Sequence, residues 1–440
     1  MMKRKCGTPS GRKKNHRRKK AKRVWKMVSV LLLVLAVLLI CDRIFLLDTP
    51  IQEEISFIED GKAEIEQTAD TDISEAEAED ESKKIMKKAK QILGDMTLEE
   101  RVYQMFIVTQ EQLTGVSNVT QSGETSRIAI EKYPVGGIIY FGNNLVSREQ
   151  CIAMIKNIQS YSEIDLFIAV DEEGGKVARL GNKSEMGTTT FEPMGIIGSI
   201  GDTSKAYEVG YTIGTEISEF GFNLDFAPVA DVYSNPENTV IGDRAFSTDP
   251  QEAAELVSAC VQGFRDSGIL CTLKHFPGHG DTIADSHYGE AQITKSLEEL
   301  YECELIPFQA GIESGAPCIM IGHLNVPRFT EENIPATLSY DIVTGLLRDE
   351  LGFRGLIITD SMSMQAITDH YSAGEGALKA IQAGVDILLM PQNLQEAVAG
   401  IISAIENGVL TEERINESVL RILEVKISKG IIEEENMKSQ

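Results

Sequence analysis

Paired cysteines are missing from this sequence: its seven cysteines are scattered over 440 residues, and none forms a Cys-x-x-Cys motif. Five fall in the C-terminal body, at Cys151, Cys260, Cys271, Cys303 and Cys318. An odd, irregularly spaced set excludes both a disulfide framework and a zinc knuckle, and leaves small buried apolar residues as the reading. Basic charge is also scarce once the first 26 residues are set aside. Those carry 13 Lys and Arg and no acid, which leaves 29 basic against 67 acidic residues beyond them. Nucleic-acid binding neutralises phosphates with Lys and Arg, so a body this acidic is no nucleic-acid enzyme. Nor does any segment repeat at the period of roughly 20–50 residues that marks solenoids and propellers.

Long hydrophobic runs are absent but for one. Met27–Cys41 holds fifteen residues without a charge, and Ile44–Leu47 resumes the pattern after Asp42 and Arg43. A membrane span needs about 20 apolar residues, with about 17 tolerated. Residues 27–47 are therefore expected to form a transmembrane anchor, the alternative being a cleaved signal segment. No small-x-small cleavage site follows, and Ile40 before Cys41 makes a poor lipidation box. By the positive-inside rule the basic tail, 1–26, stays cytoplasmic, and the body faces outward from the cell membrane, or is secreted if the segment is cleaved. Residues 48–81 hold fourteen Asp or Glu and one Lys. Such a tract buries too little apolar surface to fold and repels itself, so 48–84 reads as a disordered stalk. The folded body is expected over 85–430, with a short tail at 431–440.

In the body, short apolar runs alternate with helical patterns. The runs are Gln104–Val108, Gly136–Phe141, Asp165–Val170, Asn223–Ala227, Ile269–Leu273, Pro317–Ile321, Gly355–Thr359 and Val385–Met390. They are continuous rather than alternating, as strands buried on both faces of a parallel sheet must be. Helices between them include Ala206–Phe220, with its apolar residues on one face, and Gln251–Asp266, closed by Ser267-Gly268. Thr97 with Glu100 and Ser296 with Glu299 have the spacing of capping boxes. Eight strands separated by helices predict an α/β fold of the (β/α)8 TIM-barrel type as a single catalytic domain. Asp171, Asp225, Lys274, His275, His323 and Asp360 all fall near the C-terminal ends of strands. A barrel gathers those ends on one face, where its active sites lie.

Three segments concentrate the chemistry: Val170–Arg179, Lys274–His287 and Ile357–Met364. The second holds three of the six histidines. This sequence, Lys274-His275-Phe276-Pro277-Gly278-His279-Gly280-Asp281-Thr282 followed by Asp285-Ser286-His287, resembles the signature of glycoside hydrolase family 3 in its β-N-acetylglucosaminidase branch. Pro228–Val232, Ile241–Ser247 and Pro335–Ser339 are similar to further motifs of that family, and the similarity spans about 90–430. The resemblance implies a (β/α)8 barrel and retaining exo-hydrolysis of terminal β-linked N-acetylglucosamine. It implies Asp360 as nucleophile, His287 as acid/base and Asp285 as the partner that orients His287. It also implies Asp171, Arg179, Arg244, Lys274 and His275 as sugar-binding positions. Glu172 stands where relatives often carry Gln, and the second domain of many relatives is not expected after Leu423.

The physical requirements agree with those roles. Retaining hydrolysis needs a carboxylate at the anomeric carbon and a second group to protonate the leaving oxygen. Histidine titrates near neutrality and can do the latter. Duller readings stand beside these. Asp is a favoured N-cap, so Asp360 could serve the following helix. Arg179 and Arg244 could be structural ion pairs, and Asp225 and Asp231 could orient loops. His275, His279, Asp281, Asp285 and His287 are all zinc-ligand types, but Pro277, Gly278 and Gly280 break the helix that the His-x-x-x-His spacing needs. No metal or cofactor is therefore expected. The partners expected are glycans of the cell wall (peptidoglycan) or chitin type. The alternatives are a β-glucosidase or β-xylosidase of the same family, or a wall-binding barrel without catalysis.

Overall fold

Each apolar run becomes one stave of a parallel barrel. The computed structural model describes residues 79–282, 291–330 and 334–432. In chain order the staves are β1 (Phe106–Thr109), β2 (Gly137–Ile139), β3 (Phe167–Val170) and β4 (Leu224–Asp225), then β5 (Thr272–Phe276), β6 (Cys318–Ile321), β7 (Leu356–Thr359) and β8 (Leu388–Leu389). β8, β1, β2, β3 and β4 pair in that order, and β5, β6 and β7 form a second parallel run. Parallel bridges Leu224–Leu270 and Val229–Lys274 join β4 to β5, and Ile358–Ile387 joins β7 to β8. The sheet thus curls back on itself as a (β/α) barrel. Residues on both faces of these strands are buried, which is why the runs lack polar alternation.

The helices form where their caps and faces predict. Thr97 with Glu100 and Ser296 with Glu299 both close reciprocal capping boxes. Thr203–Ser218 buries Ala206, Val209, Ile213 and Ile217 on one stripe. Pro250–Ser267 begins under the Asp249 carboxylate and ends at Gly268, whose φ of 86° a side chain would oppose. All five described cysteines are unpaired and four of them are buried. Two boundaries differ from expectation. The described part of the first helix runs over 79–95, so the last residues assigned to the stalk are helical. β5 continues three residues past the expected end, through Lys274 and His275, because both side chains find partners inside the barrel mouth. The expected anchor at 27–47 and most of the C-terminal tail lie outside the described residues. Among the described residues no helix is long and apolar enough to cross a membrane.

One charge lies at the opposite end of the barrel. Lys426, on the helix Glu412–Ser428, is fully buried. Its Nζ donates to Gln104 Oε1 at 3.1 Å and stands 4.9 Å from the Phe167 ring centroid. Burial drives its pKa down to about 7, with the charge of Asp165 only partly opposing. Between pH 7 and the ordinary lysine range, the unfolded chain then holds a proton that the native state lacks. Stability consequently rises with pH across that window, by at most about 1.4 kcal/mol per pH unit. In Lys426→Met this contribution is expected to vanish. Unfolding curves of both proteins at pH 7 and pH 9 measure it, and an equal pH response in the two would refute it.

Candidate active site

The C-terminal ends of the strands carry a nearly dry ionic network. Asp171 follows β3 directly, and Glu173 lies in the short antiparallel hairpin formed by Glu172–Gly174 and Val177–Ala178. Lys274 Nζ, from β5, donates to Asp171 Oδ1 at 3.0 Å and pairs with Glu173 Oε1 at 2.5 Å. Arg244 grips Glu173 with two donors, Nε to Oε2 at 2.8 Å and Nη2 to Oε1 at 2.7 Å. Arg179 Nη2 reaches Asp171 Oδ2 at 3.1 Å. Burial works against the charge on Glu173, but Arg244 and Lys274 outweigh it and hold the carboxyl far below its usual range. For Asp171 burial is likewise outweighed, by Lys274 and Arg179. Lys274 is stabilised as the cation, because Glu173 and Asp171 more than offset its burial.

A second group ties β5 to the loop after β4. His275 Nδ1 lies 2.8 Å from Asp231 Oδ2, and the backbone N–H of His279 donates to Asp231 Oδ1 at 2.6 Å. Burial of Asp231 is outweighed by His275 and these donors, so it stays ionised below the normal carboxylate range. The other ring nitrogen of His275, Nε2, stands 3.5 Å from Arg244 Nη2. His279 Nδ1 bonds Thr282 Oγ1 at 2.7 Å. Burial first, and His275 second, lower the pKa of His279, while the charge of Asp360 acts in the opposite sense.

Asp360 immediately follows β7 and is half-buried. Its Oδ1 accepts from the Ser361 N–H at 2.7 Å. The helix that follows begins at Gln365 with Met364 in the N-cap position, so the capping role for Asp360 is not the one realised. His323 Nε2 bonds the Ser361 carbonyl at 2.9 Å and its Nδ1 bonds Thr337 at 2.8 Å, bracing the turn that carries Asp360. Glu172, in the place of the expected Gln, accepts the N–H groups of Arg179, Leu180 and Gly181 at 2.6, 2.8 and 2.7 Å. With donors on both oxygens, a carboxylate fits where an amide would turn one N–H against another. Asp225 is fully buried and, among the described residues, accepts only the Glu172 N–H, at 2.9 Å. Burial, with Glu172 and Asp171 nearby, pushes its pKa well up.

Of the expected site residues, Asp171, Arg179, Arg244, Lys274 and His275 are brought into one contiguous cluster. Within it Arg244 has the geometry of the duller alternative, its guanidinium committed to Glu173 and the Val240 carbonyl. Arg179 keeps a buried Nε without a partner among the described residues. Asp285 and His287 lie outside the described residues. Glu173 was passed over in the sequence, although it joins two cations; only its position beside Asp171 hinted at a role.

Residues 97–425 match the family described as "Glycosyl hydrolase family 3 N terminal domain". Beta-hexosaminidase A of Pseudoalteromonas piscicida is 35% identical over 322 residues, which cover 68% of this chain and 54% of that protein. The chain thus spans about half the length of that relative. Beta-hexosaminidase of Tolumonas auensis is 37% identical over 276 residues, 62% of this chain and 80% of its own. A solved glycoside hydrolase family 3 beta-N-acetylglucosaminidase from Paenibacillus sp. str. FPU-7 superposes with a TM-score of 0.72 at 37% identity, covering 76% of this chain and 63% of that one.

Proposed function

The chain belongs to glycosyl hydrolase family 3, in its β-hexosaminidase branch, and on that premise we propose that it is a retaining exo-β-N-acetylglucosaminidase. The observation that carries the proposal is the cluster at the barrel mouth. Asp171 offers carboxylate oxygens and Arg179 and Lys274 offer donors, a mixture suited to sugar hydroxyls, beside an acid at the end of β7. In this reading Asp360 attacks the anomeric carbon as the glycosidic C–O bond breaks, and His287 gives its proton to the departing oxygen. Asp285 holds the imidazole in the required tautomer. His287 then takes a proton from water, whose oxygen displaces Asp360 and restores the free carboxylate. The natural substrates are β-linked N-acetylglucosamine termini of peptidoglycan or chitin-type fragments. The apolar segment 27–47 with its basic flank supports placing the enzyme at the cell membrane with its body outside.

The test compares kcat/KM for aryl β-N-acetylglucosaminide and aryl β-glucoside. A site built around the N-acetyl group is expected to favour the former by roughly 100-fold or more. The reverse preference would keep the nucleophile and replace the substrate, and turnover of neither would remove the enzymatic reading.

A further inference from the structure

Phe141, just beyond β2, stands at the barrel mouth but outside the ionic network, and its side chain is half-buried. Its ring faces Arg179, whose Cζ lies 5.5 Å from the ring centroid. An aromatic face attracts a guanidinium within about 6 Å of its centre. Asp171 supplies the other hold on the guanidinium, accepting from Nη2 at 3.1 Å. The root of the side chain is fixed as well, because the Arg179 backbone N–H donates to Glu172 Oε2 at 2.6 Å. A free arginine has many rotamers and loses that freedom when a ligand orders it. Here the ring and the carboxylate have already ordered it.

This arrangement leaves one donor over. Arg179 Nε is buried and has no partner among the described residues. Buried N–H groups are nearly always paired, so an open one at a barrel mouth points to an acceptor that a ligand brings. Asp171 cannot turn to meet it without cost, since its Oδ1 already accepts from Lys274 at 3.0 Å.

The loops that carry the pair are tied together without help from either side chain. The Phe141 N–H donates to Asn144 Oδ1 at 2.8 Å. Asn144 Nδ2 in turn donates to Glu111 Oε1 at 2.6 Å and to the Val119 carbonyl at 2.8 Å. Lys183, from the loop that carries Arg179, donates its Nζ to the Leu145 carbonyl at 2.7 Å and to that of Gly142. The turn after β2 is therefore clamped to the loops after β1 and β3 through polar bonds. What the Phe141 ring adds is its face against the guanidinium.

We propose that Phe141 is a positioning residue for Arg179, holding the guanidinium so that Nε meets an oxygen of the bound sugar. The proposal rests on the reading of Arg179 as a sugar contact. A ring that only fills space would cost the same factor whatever stands at position 179. A ring that acts through Arg179 loses its effect once the guanidinium is gone.

The experiment measures kcat/KM of the full chain on the aryl glycoside of its preferred sugar, for Phe141→Leu, Arg179→Met and the double variant. F141L removes the aromatic face and keeps an apolar side chain. It is expected to lose roughly 5- to 30-fold in the parent and at most about two-fold in the R179M background. F141M is also non-aromatic and flexible enough to fill the space, and is expected to reproduce this pattern, so the test does not hang on one variant. F141Y keeps the ring and is expected to stay within about three-fold of the parent. An equal loss from F141L and F141M in both backgrounds, or a loss in F141Y as large as in F141L, overturns the positioning role alone. Unchanged kcat/KM in R179M overturns the sugar-contact reading of Arg179, and the proposal with it.

Discussion

Asp360→Asn is expected to lower kcat on aryl β-N-acetylglucosaminide by about 10⁴-fold or more, equivalent to over about 5 kcal/mol of barrier. The reasoning is chemical. An amide cannot form the glycosyl ester, and it cannot balance positive charge at the anomeric carbon. The substitution is also structurally mild. Asn keeps the oxygen that accepts the Ser361 N–H, and the turn remains braced by His323 on the Ser361 carbonyl. The unfolding temperature should therefore stay close to that of the parent, which separates loss of chemistry from loss of fold. Asp360→Gly extends the test. With azide present, a small anion can attack from the vacated face and yield the glycosyl azide of inverted configuration, because one displacement replaces two. Retention of more than a tenth of the activity in D360N, or azide product of retained configuration, would dismiss Asp360 as nucleophile.

How much of this was readable beforehand follows from which interactions are local. The staves were legible because burial on both faces erases alternation, and every expected run overlaps an observed strand. Caps were legible because Thr97 with Glu100, and Ser296 with Glu299, act within one turn. The end of β5 was not. Lys274 and His275 look like the start of a loop until Asp171, Glu173 and Asp231, each from a different segment, are seen to satisfy them. Lys426 is a similar case. It continues the buried stripe of Ile415, Val419 and Ile422, and periodicity alone would have buried it, but its charge argued for the surface. The pairing of Lys295 with Glu304 joins separate elements, and no sequence period connects them. For Asp360, the apolar run Gly355–Thr359 already marked the strand end, and the resemblance to a family implied the role. Asp285, His287 and the 27–47 segment rest on the sequence alone.

Glu173→Ala is expected to have the largest effect on the fold. The side chain is 2% exposed and is shared by Lys274 and Arg244, which are themselves nearly buried. Removing it leaves two cations in a poorly solvated site with only Asp171 to serve Lys274, and breaking a buried pair in this way costs about 3–5 kcal/mol. Activity should fall as well, because Lys274 and Arg244 lose the common acceptor that aims them. Glu173→Gln isolates the charge from the shape and is expected to fall between Ala and the parent. The pH dependence gives an internal check. The folded carboxyl titrates well below its unfolded counterpart, so its contribution is fully present above the ordinary carboxylate range and is lost as pH falls toward the folded value. The stability difference between parent and E173Q should accordingly stay level from pH 6 to 8 and shrink below about pH 4.5. Equal stability of parent and E173Q across this whole range would mean that the cluster is solvated in solution, and the dry network at the barrel mouth could not then be the device that orients Lys274.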